Sequence, residues 1–257
     1  MLQSGVPLMR RRTGSAIAAA VGLVAVAVVA FVNLAQETTV VQQPVLAPAA
    51  DPAAPIQGTP VDGVDYASAA VIATELPLID PAVTIPDYRR DAFGDAWSDI
   101  DGNGCRQRDD VLARDLVDVV VDGRGCTVLT GTLHDPYTGN DLYFQHDRVA
   151  EPGNPGSQGV QIDHIVSLAA AYRGGAWAWT PEQRQTFANS SDVLLAVDGP
   201  ANQSKQDRGP ASWLPATDYV CTYALQYTEI LDDWDLAVDV DDQAALVRTL
   251  TDCGAGV

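Results

Sequence analysis

Lysine is almost missing from this chain. Lys205 is the only one, and arginine supplies the rest of the 15 cationic side chains that stand against 34 carboxylates. The formal charge of -19 and the pI near 4.2 exclude a protein that coats nucleic acid through bulk electrostatics, because neutralising phosphates takes Lys and Arg. They leave room for a small local patch of Arg. The four cysteines, Cys105, Cys126, Cys221 and Cys253, show no C-x-x-C spacing, which argues against a thiolate metal cage. Charge of either sign is absent from residues 16–32, and that gap shapes the reading of the N-terminus.

Arg10, Arg11 and Arg12 precede this uncharged apolar run. Its length falls between a signal-peptide core and a comfortable membrane helix, and the basic cluster orients the N-terminus inside and the remainder outside. Residues 1–36 therefore read as a signal anchor or, with cleavage after Ala35, a signal peptide. Residues 37–79, rich in Ala, Pro, Val, Gln and Thr with Pro44, Pro48, Pro52, Pro55 and Pro60 spaced through them, read as an extended linker. Residues 80–257 then form one globular domain, roughly 180 residues and large enough for a single buried core.

An even number of cysteines outside the cytoplasm favours two disulfides. Three pairings are open; the choice here is Cys105–Cys126 with Cys221–Cys253. Cys221 falls early in a helical pattern (Val220, Tyr223, Ala224, Tyr227, Ile230, Leu231), and Cys253 closes a second one (Ala244, Ala245, Val247, Leu250). Antiparallel packing would set the start of one beside the end of the other.

The stretch Asp99-Ile100-Asp101-Gly102-Asn103-Gly104 matches the first half of a calcium loop, with Asp110 at the twelfth position. Its alternative is a Gly-rich turn, bonded by its own Asp and Asn side chains, before a helix over 109–119. Two strands, 126–133 and 141–145, follow as a hairpin turning at Pro136 and Gly139. His134 and His146 flank it and read as surface or packing residues. The segment 151–159, with Pro152 and Pro155, is a loop.

Alternation at Val160 and Ile162 then predicts a strand ending at Asp163-His164. A short helix over 168–172 stops at Gly174-Gly175. Thr180, Pro181 and Gln183 form a capping-box start for the next helix. A second strand over 193–197 leads through Asp198-Gly199 into a helix carrying Asn202 and Lys205.

A carboxylate beside an imidazole, with an amide and a lysine on a following helix, fits hydrolysis of a phosphodiester. A neutral imidazole suits proton transfer from water near pH 7. Asp163 and Asn202 are hard oxygen donors for Mg²⁺ or Mn²⁺. Lys205, three residues after Asn202, shares its helical side, and Arg173, Arg184 and Arg208 are phosphate-binding candidates. One conflict stands out: adjacent strand residues leave on opposite faces, so Asp163 and His164 serve one site only where the strand bends or ends.

Asp163-His164-Ile165-Val166, the strand 193–197, and Asn202-x-x-Lys205 before Trp213-Leu214-Pro215 resemble the HNH (ββα-metal) endonucleases, in the branch related to the C-terminal nuclease domain of GmrSD-type restriction enzymes. Asn103-Gly104-Cys105, Arg114-Asp115-Leu116, residues 135–139 and the terminal cysteines resemble its secreted actinobacterial members, so the likeness covers 88–253. It implies an α+β domain: a ββα-metal finger braced by disulfides, with an N-terminal hairpin and C-terminal helices. It implies His164 as general base, Asp163 and Asn202 as ligands of one divalent metal, and Lys205 as a phosphate or helix-start contact. Ser167, Tyr172 and Gln206 depart from the usual residues. Asp192-Val193 replaces an Asn-Leu whose Asn braces the catalytic-histidine loop.

The expected function is thus a monomeric metal-dependent endonuclease outside the cytoplasm, with DNA ahead of RNA as substrate and the membrane as a partner if the N-terminus is uncleaved. The alternative is a non-catalytic extracellular module on the same scaffold that binds calcium (at the Asp99 loop), cell wall or a partner protein.

Overall fold

The computed structural model of the chain describes residues 65–255. The apolar run 16–32 and most of the expected linker lie outside them. Helix α1 (Tyr66–Glu75) starts at Asp65, whose carboxylate accepts from the Ser68 N–H at 3.0 Å. Tyr66, Ala69, Ala73 and Leu76 bury one side of it in the main core. The expected linker 37–79 is therefore corrected at its C-terminal end. The Ala-rich composition that resembles a linker also forms a helix, because small side chains let it pack closely on α7 (Val240–Ala255).

Helix α2 (Gln107–Asp115) is shorter than the helix expected over 109–119. It gives way at Leu116 to strand β1 (Leu116–Val121), which pairs antiparallel with β2 (Val128–His134). The run Leu116-Val117-Asp118-Val119-Val120-Val121 is β-branched, and strand pairing suits it better than a helical turn. Strand β3 (Asp141–Gln145) completes a three-stranded antiparallel sheet in the order β1-β2-β3.

Strands β4 (Val160–His164) and β5 (Leu194–Asp198) form a separate antiparallel pair, with His164 opposite Leu194 and Asp163 opposite Leu195. Helix α5 (Gly199–Lys205) follows β5 directly. Between the two strands lie α3 (Leu168–Arg173) and α4 (Pro181–Asn189), the latter opened by a complete capping box of Thr180 with Gln183. The period-2 pattern divides the strand pair between two cores. Val160, Ile162, Leu194 and Ala196 pack with β1, β2 and α2; Leu195 and Val197 pack with the helices.

The outer edge of β5 is closed by side chains, since among the described residues it has no second strand partner. Buried Asp115 accepts the Ala196 N–H at 2.8 Å, and buried Asp135 accepts the Asp198 N–H at 2.8 Å. Arg114 grips Asp115 in a two-pronged pair and donates to the carbonyls of Ser191 and Leu194, each at 2.7 Å. These contacts satisfy ladder groups that would otherwise be orphaned, and they hold β5 in place.

Helix α6 (Val220–Asp233) runs against α7, and the Cys221–Cys253 disulfide joins the start of one to the end of the other. Cys105–Cys126 ties the loop before α2 to the β1–β2 turn. Replacing Cys221 and Cys253 by serine is expected to lower stability by ~3–4 kcal/mol through the freed chain entropy. A shift of the guanidinium midpoint at unchanged slope measures it.

Candidate active site

Asp163 and His164 leave β4 in different directions, as the pleat dictates. Asp163 is buried, and its Oδ2 accepts from the Tyr137 hydroxyl at 2.7 Å and pairs with Lys205 Nζ at 2.8 Å. Burial pushes the Tyr137 phenol well above its ordinary pKa, and the Asp163 charge adds to the shift, so the hydroxyl stays a donor. Tyr137 arrives from the β2–β3 turn. There the Thr138 N–H and hydroxyl bond to Asp135, fixing the bend.

Lys205 is fully buried, and its Nζ also donates to the His164 carbonyl at 2.8 Å. The expectation that it contacts phosphate differs from this placement: it lies beneath the site and braces Asp163.

His164 Nε2 lies 2.9 Å from the carbonyl oxygen of Ala188, in the last turn of α4. A carbonyl only accepts, so Nε2 carries the proton and Nδ1 keeps its lone pair. Burial lowers the imidazole pKa to about 4, so the ring is neutral at pH 7. Trp97 stacks on it, the ring centroids 6.3 Å apart. The end of β4 is held by the Ile165 N–H, which donates to Val193 O at 2.9 Å. The bracing that the Asp192 substitution put in question thus comes from main-chain carbonyls of residues 188 and 193; Asp192 itself is exposed.

A cleft of about 510 Å³ passes over the end of β4, bordered by Asp163, His164 and Gln161, by Asn202 from α5, and by Arg90 and Arg173. Asn202 Nδ2 donates to Gln161 Oε1 at 3.0 Å, which leaves Asn202 Oδ1 as the acceptor. With Oδ2 of Asp163 engaged, the oxygens available are one from each residue. Among the described residues no group of three or more His, Cys, Asp or Glu side chains converges on a metal position. Two hard oxygen donors in a roomy cleft fit an ion of the Mg²⁺ class, which keeps much of its shell as water and substrate phosphate.

The arginine candidates separate. Arg173 borders the cleft and pairs with Asp207 at 3.1 Å. Arg208 donates to the Lys205 carbonyl at 3.2 Å and borders a neighbouring cavity of about 870 Å³. That cavity holds Arg173, Arg208 and Arg248 against Asp207, Asp239, Asp241 and Asp242, so carboxylates prevail and phosphate is disfavoured there. Arg184 is structural: it donates to the carbonyls of Ala92, Ala176 and Trp179. Arg90, not singled out from sequence, stands exposed at the cleft beside His164.

In the Asp99 loop the carboxylate oxygens are met by the loop's own N–H groups. Asp99 accepts from Gly102, Asn103 and Gly104, and Asp101 accepts from Asn103. Asp110 lies beside this loop: burial raises its carboxyl, a side-chain hydrogen bond with Asn103 lowers it, and the charges of Asp101, Asp109 and Asp99 raise it further.

Tyr137, Trp97 and Asn189 are the contributors that sequence reasoning passed over. Tyr137 lay inside a recognised turn stretch, and that was its only signal. The other two are joined to the site purely by long-range packing.

The fold and cleft define an α+β protein with an imidazole, a carboxylate and an amide at the end of a two-stranded sheet. The chain belongs to the family described as GmrSD restriction endonucleases, C-terminal domain, which matches residues 106–249. It is also 38% identical over 169 residues to a protein of Arthroderma benhamiae named "Uncharacterized secreted protein", covering 65% of this chain and 76% of that one. This relative is fungal, so the expected actinobacterial branch is not supported. No solved structure matches. Among the described residues no helix is long and apolar enough to cross a membrane.

Proposed function

We propose that this chain is a metal-dependent endonuclease that hydrolyses nucleic-acid phosphodiester bonds outside the cytoplasm, DNA ahead of RNA. The observation that carries this reading is the state of His164: neutral, locked through Nε2 onto Ala188, with Nδ1 as its one basic atom. In this reading β4, β5 and α5 form the ββα unit. Asp163 and Asn202 would hold a single Mg²⁺ or Mn²⁺. Bound there, the ion supplies neutralisation of the phosphate charge.

His164 Nδ1 takes a proton from a water beside the phosphorus. The hydroxide oxygen bonds to phosphorus, the bond to the departing sugar oxygen breaks, and that oxygen is protonated from solvent. Arg90 and Arg173 bind non-bridging phosphate oxygens at the cleft mouth. Tyr137 and Lys205 hold Asp163 in place from beneath.

The relative's name and the two disulfides support an extracellular setting. Residues 16–32 would direct export and, if retained, anchor the chain. The purified protein is expected to cut DNA in Mg²⁺ or Mn²⁺ and to stop when EDTA is added. Cleavage that persists in EDTA overturns the metal-dependent mechanism.

A further inference from the structure

The segment before the matched family region brings an aromatic ring alongside the proposed base. Trp97 lies nearly parallel to the His164 imidazole, at an interplanar angle of 19°. Its backbone sits at φ +62°, a region a bulky side chain seldom enters. Such a conformation is strained and persists where the surroundings over-determine it.

Those surroundings come from α4. Asn189, fully buried, accepts the Ser98 N–H at 2.9 Å and donates to the carbonyls of Asp95 and Gln185. Gln185 Nε2 donates to the Ser98 hydroxyl at 2.9 Å, and its side chain lies 3.2 Å from where a Cβ on Gly94 would stand. The same helix end supplies the Ala188 carbonyl that receives His164 Nε2. One helix terminus therefore fixes both the edge of the imidazole and the indole stacked, offset, beside it.

We propose that Trp97 is a positioning residue for His164: it blocks rotation of the imidazole out of the plane in which Nε2 meets Ala188, so that Nδ1 stays the atom presented to the reaction. The consequence for rate rests on the nuclease reading; the consequence for the ring does not. An alternative duty, contact with substrate, would show in KM instead of kcat.

The test compares the full-length wild type, Trp97→Gly and Trp97→Phe. Glycine accepts φ +62° without strain, so Trp97→Gly removes the ring and leaves the backbone at ease. The chain has three histidines, and His164→Ala identifies the third set of ¹⁵N imidazole signals. Wild type is expected to show His164 as the single Nε2-protonated tautomer, and Trp97→Gly a mixture of both.

In the cleavage assay Trp97→Gly should lose kcat about tenfold with KM changed less than about twofold, and Trp97→Phe should recover most of the loss. Gln185→Ala, a milder variant that only loosens the loop, should give an intermediate tautomer mixture and serves if Trp97→Gly does not fold. A single tautomer retained in the variants, or a rise in KM at constant kcat, overturns the proposal. If wild type cleaves nothing, the nuclease reading fails, and the tautomer spectra still decide the role of Trp97.

Discussion

Lys205→Met is expected to lower the unfolding free energy by about 3–5 kcal/mol, the cost of leaving a buried charge without its partner. Nζ of Lys205 is fully buried and joins two groups at 2.8 Å, the Asp163 carboxylate and the His164 carbonyl. Methionine nearly matches the length and volume of the lost side chain, so the loss reports the charge and hydrogen bonds, with little contribution from a cavity. Asp163 would keep only the Tyr137 hydroxyl. Adding Asp163→Asn to Lys205→Met removes the stranded charge, and the double variant should regain part of the stability. Denaturant midpoints of the two single variants and the double variant measure this. A cost below about 1 kcal/mol for Lys205→Met would mean that Asp163 is not held by this pair.

Local chemistry was legible in the sequence. The Thr180 capping box, the hairpin at Pro136 and Gly139, and the amphipathic stripes of α6 and α7 each depend on residues within a few positions of one another. Strand β1 was not legible, because a Val-rich run directly after a helical pattern belongs to whichever partner it meets, and β2 is that partner. Helix α1 was masked by a composition it shares with linkers. At the site, Asp163, His164 and Asn202, the residues expected to act together, border one cleft.

The roles of the supporting residues depended on direction. Lys205 and Asn202 lie about 60° apart around α5, and that difference sends one into the core and the other to the cleft. Arg184 reads as a free cation in sequence, yet three main-chain carbonyls occupy it. The brace for His164 is a backbone carbonyl, which no side-chain pattern encodes.

The second large effect concerns that histidine. His164→Ala is expected to reduce kcat by about 10²–10⁴-fold, the usual worth of a positioned general base, while KM stays within about twofold. The ring is neutral at pH 7 and makes one hydrogen bond, to Ala188 O, so its removal strands no charge. Losing that bond should cost only ~1–3 kcal/mol of stability. The fold, its two disulfides and the clamped β4–β5 pair are therefore expected to survive. A large fall in rate with an intact near-ultraviolet circular dichroism spectrum separates chemistry from collapse.

The measurement that bears most directly on the proposed reaction is the rate at which closed-circular DNA is nicked in Mn²⁺ by wild type and His164→Ala, purified side by side. Nicking and linearisation by wild type, with the variant reduced to background, is the predicted result. Equal rates from the two proteins, or no cleavage by either, would contradict a nuclease centred on His164.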